Sequence, residues 1–194
     1  MAKDLVVYMV KLSIGRKRLV KEIDLDELGL DIKDKSLQLL LKNHADSIKL
    51  NVFAKSFEKI LTNFESKVRM SFRRRAVIYE WGESSLTLMT KEMYEDYLKE
   101  FEQYKNEYYG LRDEILKKYD DMINSFIALI KDAVKDKSKQ KALIKTMQGV
   151  IPHPGVYENS FYMSLDFKTL NLADDDKQDM VKSFLMKSVD KIHA

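Results

Sequence analysis

Cysteine is absent from the 194 residues, which removes any disulfide framework and any thiolate chemistry. A cytoplasmic setting is the expectation. Two prolines and six glycines are too few for a loop-rich chain, so long regular elements are expected instead. No apolar run reaches the ~20 residues of a membrane span, and the N-terminus carries no signal-peptide cleavage pattern. An excess of one charge is also missing. Thirty-four Lys and Arg against thirty-one Asp and Glu leave a formal charge of +3. That excludes a basic carpet for nucleic acid and leaves room only for a local patch.

Signatures of chemistry are equally scarce. Ser13-Ile14-Gly15-Arg16-Lys17 lacks the first glycine and the Gly-Lys-Ser/Thr ending of a phosphate loop, and no Gly-x-Ser-x-Gly occurs. His44, His153 and His193 have no His, Asp or Glu at metal-ligand spacing. His153, between two prolines, reads as a residue that caps or decorates a turn. Asp174-Asp175-Asp176 suits the N-terminus of a helix, where carboxylates are favoured anyway. The expectation is a protein without cofactor, metal site or catalytic residues. A metal-dependent hydrolase or nuclease, built from carboxylates that only folding brings together, stands third among the readings.

What the chain does have is helical periodicity, concentrated between Phe53 and Met122. Phe53, Phe57, Ile60, Leu61, Phe64, Val68 and Phe72 fall on one face of a first arm. Tyr94, Tyr97, Phe101, Tyr104, Tyr108, Leu111, Ile115, Tyr119 and Met122 recur at steps of three and four in a second. Neither face is stable alone in water. A short connection between them favours an antiparallel pair in the manner of a coiled-coil hairpin. The connection, Val77–Trp81 and Ser85–Met89 around Gly82, has the β-branched and aromatic residues of a small β-hairpin. Thr90 is placed to cap the second arm, which then continues past Met122 or breaks near Asp120-Asp121.

Outside the arms, residues 5–14 read as a strand with Val6, Tyr8, Val10, Leu12 and Ile14 on one face. Asp24 to Leu30 has the look of a short helical turn, and Lys137 to Gln148 of a short helix. Pro152 to Gly155 reads as a rigid turn. Residues 160–169 alternate as a second strand, and 174–192 read as a final helix. The fold class is therefore α+β and mostly α, with a long antiparallel helical hairpin over a small sheet formed by the N-terminal and C-terminal strands. The whole, 1–194, is read as a single domain with the hairpin, 52–133, inserted between the strands. The two strands are expected to pair antiparallel and to be extended by the 76–89 hairpin.

The order of elements resembles a family of phage and mobile-element proteins known as a domain of unknown function (family thirty-one-fifty). The resemblance rests on the opening strand leading to Gly15-Arg16-Lys17-Arg18-Leu19, the helix ending at Arg73–Arg75 and the Val77–Trp81 segment. It extends to Leu116-Lys117-Lys118-Tyr119-Asp120, Pro152 and the Phe161–Phe167 strand. Of that family's tryptophan-containing and Gly-Gly stretches the chain has Trp81-Gly82. The resemblance implies a bacteriophage, prophage or plasmid origin, a viral protein acting in the host cytoplasm. It also implies an adaptor role beside AAA+ ATPase and von Willebrand-type partners, and it supplies no catalytic residues.

Two surfaces are candidates for binding. Lys67, Arg69, Arg73, Arg74 and Arg75 run directly into Tyr79 and Trp81, a combination suited to phosphates and stacked bases. The plain alternative is a helix end answering its own dipole, with the rings packed under the hairpin. Tyr94, Tyr97, Tyr104 and Tyr108 occupy seam positions where leucine is usual. Either their hydroxyls reach the rim and water, or part of the face is open to a protein partner. The leading expectation is a non-enzymatic adaptor that binds another protein, or itself, through the helical arms and the 73–89 tip. The alternative is a nucleic-acid-binding protein using the Arg73–Arg75 cluster.

Overall fold

The computed structural model describes residues 6–23, 35–46, 49–81 and 84–170. In chain order the elements are β1 (Val7–Gly15), β2 (Val20–Glu22), α1 (Lys35–His44), β3 (Ala45–Asp46), β4 (Lys49–Asn51), α2 (Lys55–Arg75) and β5 (Val77–Trp81). They continue as β6 (Ser84–Thr90), α3 (Lys91–Lys117), α4 (Tyr119–Ala133), α5 (Lys137–Gln148), α6 (Pro154–Glu158) and β7 (Tyr162–Thr169). The fold is mixed α+β. The expected Asp24–Leu30 turn and the 174–192 helix, with Asp174–Asp176 and His193, lie outside the described residues. Among the described residues no helix is long and apolar enough to cross a membrane.

The chain divides into two compact units, one of residues 1–14, 64–108 and 162–194, the other of 15–63 and 109–161. In the first, a sheet of order β5-β6-β1-β7 joins the N-terminal and C-terminal strands. The Leu170 amide donates to the Val7 carbonyl, so the start of β1 meets the end of β7 and the two run antiparallel. β5 and β6 form the expected antiparallel hairpin, Val77 opposite Leu88 and Trp81 opposite Ser84. β6 continues the sheet onto β1, Val7 opposite Thr90. Thr90 then caps α3, its Oγ1 accepting from the Met93 amide at 3.2 Å.

Strand β1 buries the expected face in part, at Val10 and Ile14 with Tyr8 and Leu12 half-buried, and adds Val7 from the other face. Val6 is exposed. Apolar cover on both sides of the strand explains the difference. Val7 packs with Val77 and Leu88. The ring of its neighbour Tyr8 meets Tyr94 and Phe167, with centroids 5.4 and 4.7 Å away. A strand covered on both faces has no reason to alternate strictly.

In the same unit the aromatic seam closes on itself. Phe64 meets Tyr104 and Tyr108, and Phe72 meets Tyr97. The order of these contacts means that this part of α2 and α3 runs antiparallel. Aromatic pairs of this kind contribute ~0.5–1.5 kcal/mol each beyond the area they bury.

The second unit holds a small sheet of order β2-β4-β3. Its core is an aromatic cluster in which Phe53 contacts Phe57, Tyr119 and Tyr157, while Tyr157 also meets Phe161. Phe53 precedes α2 instead of belonging to it. Ile60, expected on the apolar face, is exposed, because Phe57 and Leu61 fill that face one turn apart. The chain breaks between α3 and α4 at Lys118, earlier than Asp120-Asp121, and the Lys118 amide closes a tight turn on Ile115. The 152–155 segment, read as a rigid turn, leads directly into α6. Pro154 holds its first position, and His153 Nδ1 caps it by accepting from the Gly155 amide at 3.2 Å.

Candidate functional site

The sequence-predicted residues separate once their contacts are known. Tyr97 and Tyr108 are wholly buried and Tyr94 nearly so, while Tyr104 is half-buried. The seam is therefore closed inside the unit and does not present four tyrosines to a partner. Of its hydroxyls, that of Tyr108 reaches the facing helix α2, that of Tyr104 turns back one turn along α3, and that of Tyr97 has no partner among the described residues. Tyr108 donates to Glu65, and Tyr104 to Glu100 at 2.7 Å. Burial pushes the Tyr97 phenol far up, with the Glu100 carboxylate and Tyr104 adding to it, so it stays protonated.

The basic cluster is similarly divided. Lys67 lies 3.7 Å from Glu107 and 5.0 Å from the centre of the Tyr104 ring. Arg69 donates to the Ile14 carbonyl, and Arg75 pairs with Glu100 at 3.4 Å. Tyr79 packs partly buried against the Val7, Val77 and Leu88 cluster, so it is not a free stacking platform beside the arginines. The side chain of Trp81 lies outside the described residues. Arg73 and Arg74 remain exposed, and among the described residues neither has an ion pair or hydrogen bond.

From Glu65 to the end of α2 there are five cations and one carboxylate, and that carboxylate is buried against Tyr108. The charged groups that α2 itself exposes at this end are thus all cations. Met70, 53% exposed, sits one turn before Arg73 and Arg74 on the same face. A large apolar side chain beside two exposed arginines is the chemical complement of an acidic segment carrying an apolar anchor.

A separate feature escaped the sequence reading. In the second unit an open cleft of ≈ 430 Å³ lies among α1, the β4–α2 connection and α4. Its walls are Val52, Phe53, Met122, Phe126 and Leu129. His44, Ser125, Lys118 and Asp121 supply its polar groups. His44 is only 6% exposed, and its Nδ1 stands 3.1 Å from the Asn51 carbonyl while the Asn51 amide donates back to the His44 carbonyl at 3.0 Å. Burial holds its pKa below 6.5, against the pull of the Asn51 and Val52 carbonyls. Among the described residues no group of three His, Asp or Glu is placed to hold a metal ion. Comparison with models of protein families, with curated proteins and with solved structures finds no match.

Proposed function

We propose that the chain is a non-enzymatic protein-binding module of phage or mobile-element origin. In this reading α2 and α3 act as a long antiparallel helical hairpin, and the end of α2 together with the 77–89 turn is the binding tip. The observation that carries it is the composition of the α2 end, where Met70 stands exposed beside Arg73 and Arg74 and the helix's own carboxylate there, Glu65, is buried. The partner's chemistry follows as an acidic segment bearing an apolar residue. Two copies meeting through this face would oppose like charges, which disfavours self-association there. An AAA+ ATPase partner, implied by the family resemblance, is compatible with this chemistry and rests on the resemblance alone.

Fluorescence anisotropy at low salt tests the reading with three probes, a leucine-containing polyglutamate peptide, single-stranded DNA and a short RNA duplex. The expected result is saturable, salt-sensitive peptide binding, weakened by Met70→Ser and abolished by the Arg73→Ala/Arg74→Ala pair. Binding of nucleic acid that ignores Met70→Ser but fails in the double arginine variant would transfer the function to the alternative, phosphate recognition. Flat titrations with all three probes would overturn both.

A further inference from the structure

We infer that the cleft between α1 and α4 is a binding site for a small, uncharged ring compound that carries one N–H or O–H donor, with His44 as the acceptor that orients it. The volume falls in the range of small-ligand pockets, and apolar walls with a few convergent polar groups are their usual make-up. Phe53 and Phe126 supply aromatic surface, and the His44 ring packs 5.2 Å from that of Phe126. At the cleft Lys118 and Asp121 carry opposite charges, so the site as a whole selects for neither sign.

The specific element is the tautomer of His44. A backbone carbonyl can only accept, so the contact with Asn51 fixes the proton on Nδ1. A ring kept neutral by burial then has a lone pair on Nε2. The reciprocal bond from the Asn51 side chain holds the residue in place from the other side. An acceptor that a bound ligand would seal inside an apolar cleft discriminates strongly between ligands that donate and ligands that do not, because a non-donor leaves it unpaired.

An NMR titration of the full chain with indole, phenol and toluene tests this. Indole and phenol are expected to give saturable shifts at the His44 ring, Phe126 and the Leu129 methyls, with toluene weaker by about tenfold, the equivalent of one hydrogen bond. The His44→Phe variant keeps a ring and loses the acceptor, and is expected to remove the preference for indole over toluene. Should that variant unfold, Leu129→Trp fills the cleft from its wall. It is expected to abolish indole binding while amide signals remote from the cleft stay in place. The proposal is overturned by equal affinities of indole and toluene for the natural sequence. It is also overturned by shifts that persist in Leu129→Trp, or by no saturable shift at the cleft with any probe.

Discussion

The phenol of Tyr108 on α3 donates to the carboxylate of Glu65 on α2 at 3.1 Å, and both side chains are buried. Forty-three residues separate the two in sequence, so the bond ties together elements that meet only on folding. Tyr108→Phe removes the donor and leaves the buried carboxylate one partner poorer. The expected cost is about 1–3 kcal/mol, since losing one member of a buried pair costs the desolvation of the other. Urea unfolding followed by circular dichroism measures it as a fall in midpoint at unchanged slope. No loss of stability would mean that the carboxylate is satisfied without Tyr108.

Glu100 gives the same interface a pH dependence. Burial alone would raise its pKa, but hydrogen bonds from Ser71 at 2.6 Å and Tyr104 at 2.7 Å, with Arg75 and Lys67 nearby, bring it below the ordinary 4.5. A carboxylate with a depressed folded pKa contributes stability that is complete above its unfolded value. That stability fades as the pH falls through the lower folded value. Glu100→Gln is therefore expected to be less stable than the natural sequence near neutral pH. The gap should narrow as the pH drops past 4.5, and thermal melts of both proteins across that range would reveal it. A gap that stays constant would show that the carboxylate charge is not what Ser71, Tyr104 and Arg75 hold.

The parts of this protein legible in its sequence are those whose signal is local. Phe161, Met163 and Leu165 alternate with polar neighbours, and a strand stands there. Val77–Trp81 and Ser84–Thr90 flank a glycine, and they pair as a hairpin. Thr90 looks like a cap and is one. The sheet of β2, β3 and β4 was invisible because strands of two or three residues are too short to display alternation. The break at Lys118 carries neither glycine nor proline, so nothing in the sequence distinguishes it from continuous helix. The tyrosine stripe was legible as a seam but not as a closed one. Whether a phenol meets water or Glu65 depends on a partner in another element. The cleft needed His44 and Phe126, 82 positions apart, to be brought together, and no spacing rule reports that.

Gly110 is a site where stability can be added. It lies within α3, is exposed, and a methyl group added there would meet nothing within 4 Å. Glycine inside a helix costs ~1 kcal/mol relative to alanine through lost backbone entropy. Gly110→Ala is expected to recover most of that and raise the melting temperature by about 2–4 °C. Calorimetry at matched scan rates is the measurement. A lower melting temperature would mean that the helix uses Gly110 for a bend.

Tyr97 supplies the counterpart to Tyr108 on the same helix. It too is fully buried, yet its hydroxyl has no hydrogen-bond partner among the described residues. Its ring packs on Phe72, with centroids 5.5 Å apart, so the ring contributes packing while the hydroxyl contributes an unmet desolvation cost. Removing the oxygen keeps the ring and removes that cost. Tyr97→Phe is therefore expected to be neutral or to stabilise by about 1 kcal/mol, opposite in sign to Tyr108→Phe. The two single variants and their combination, compared by urea midpoint, separate these effects. If Tyr97→Phe destabilises as much as Tyr108→Phe does, the hydroxyl has a partner, such as bound water, and the seam is wetter at this end.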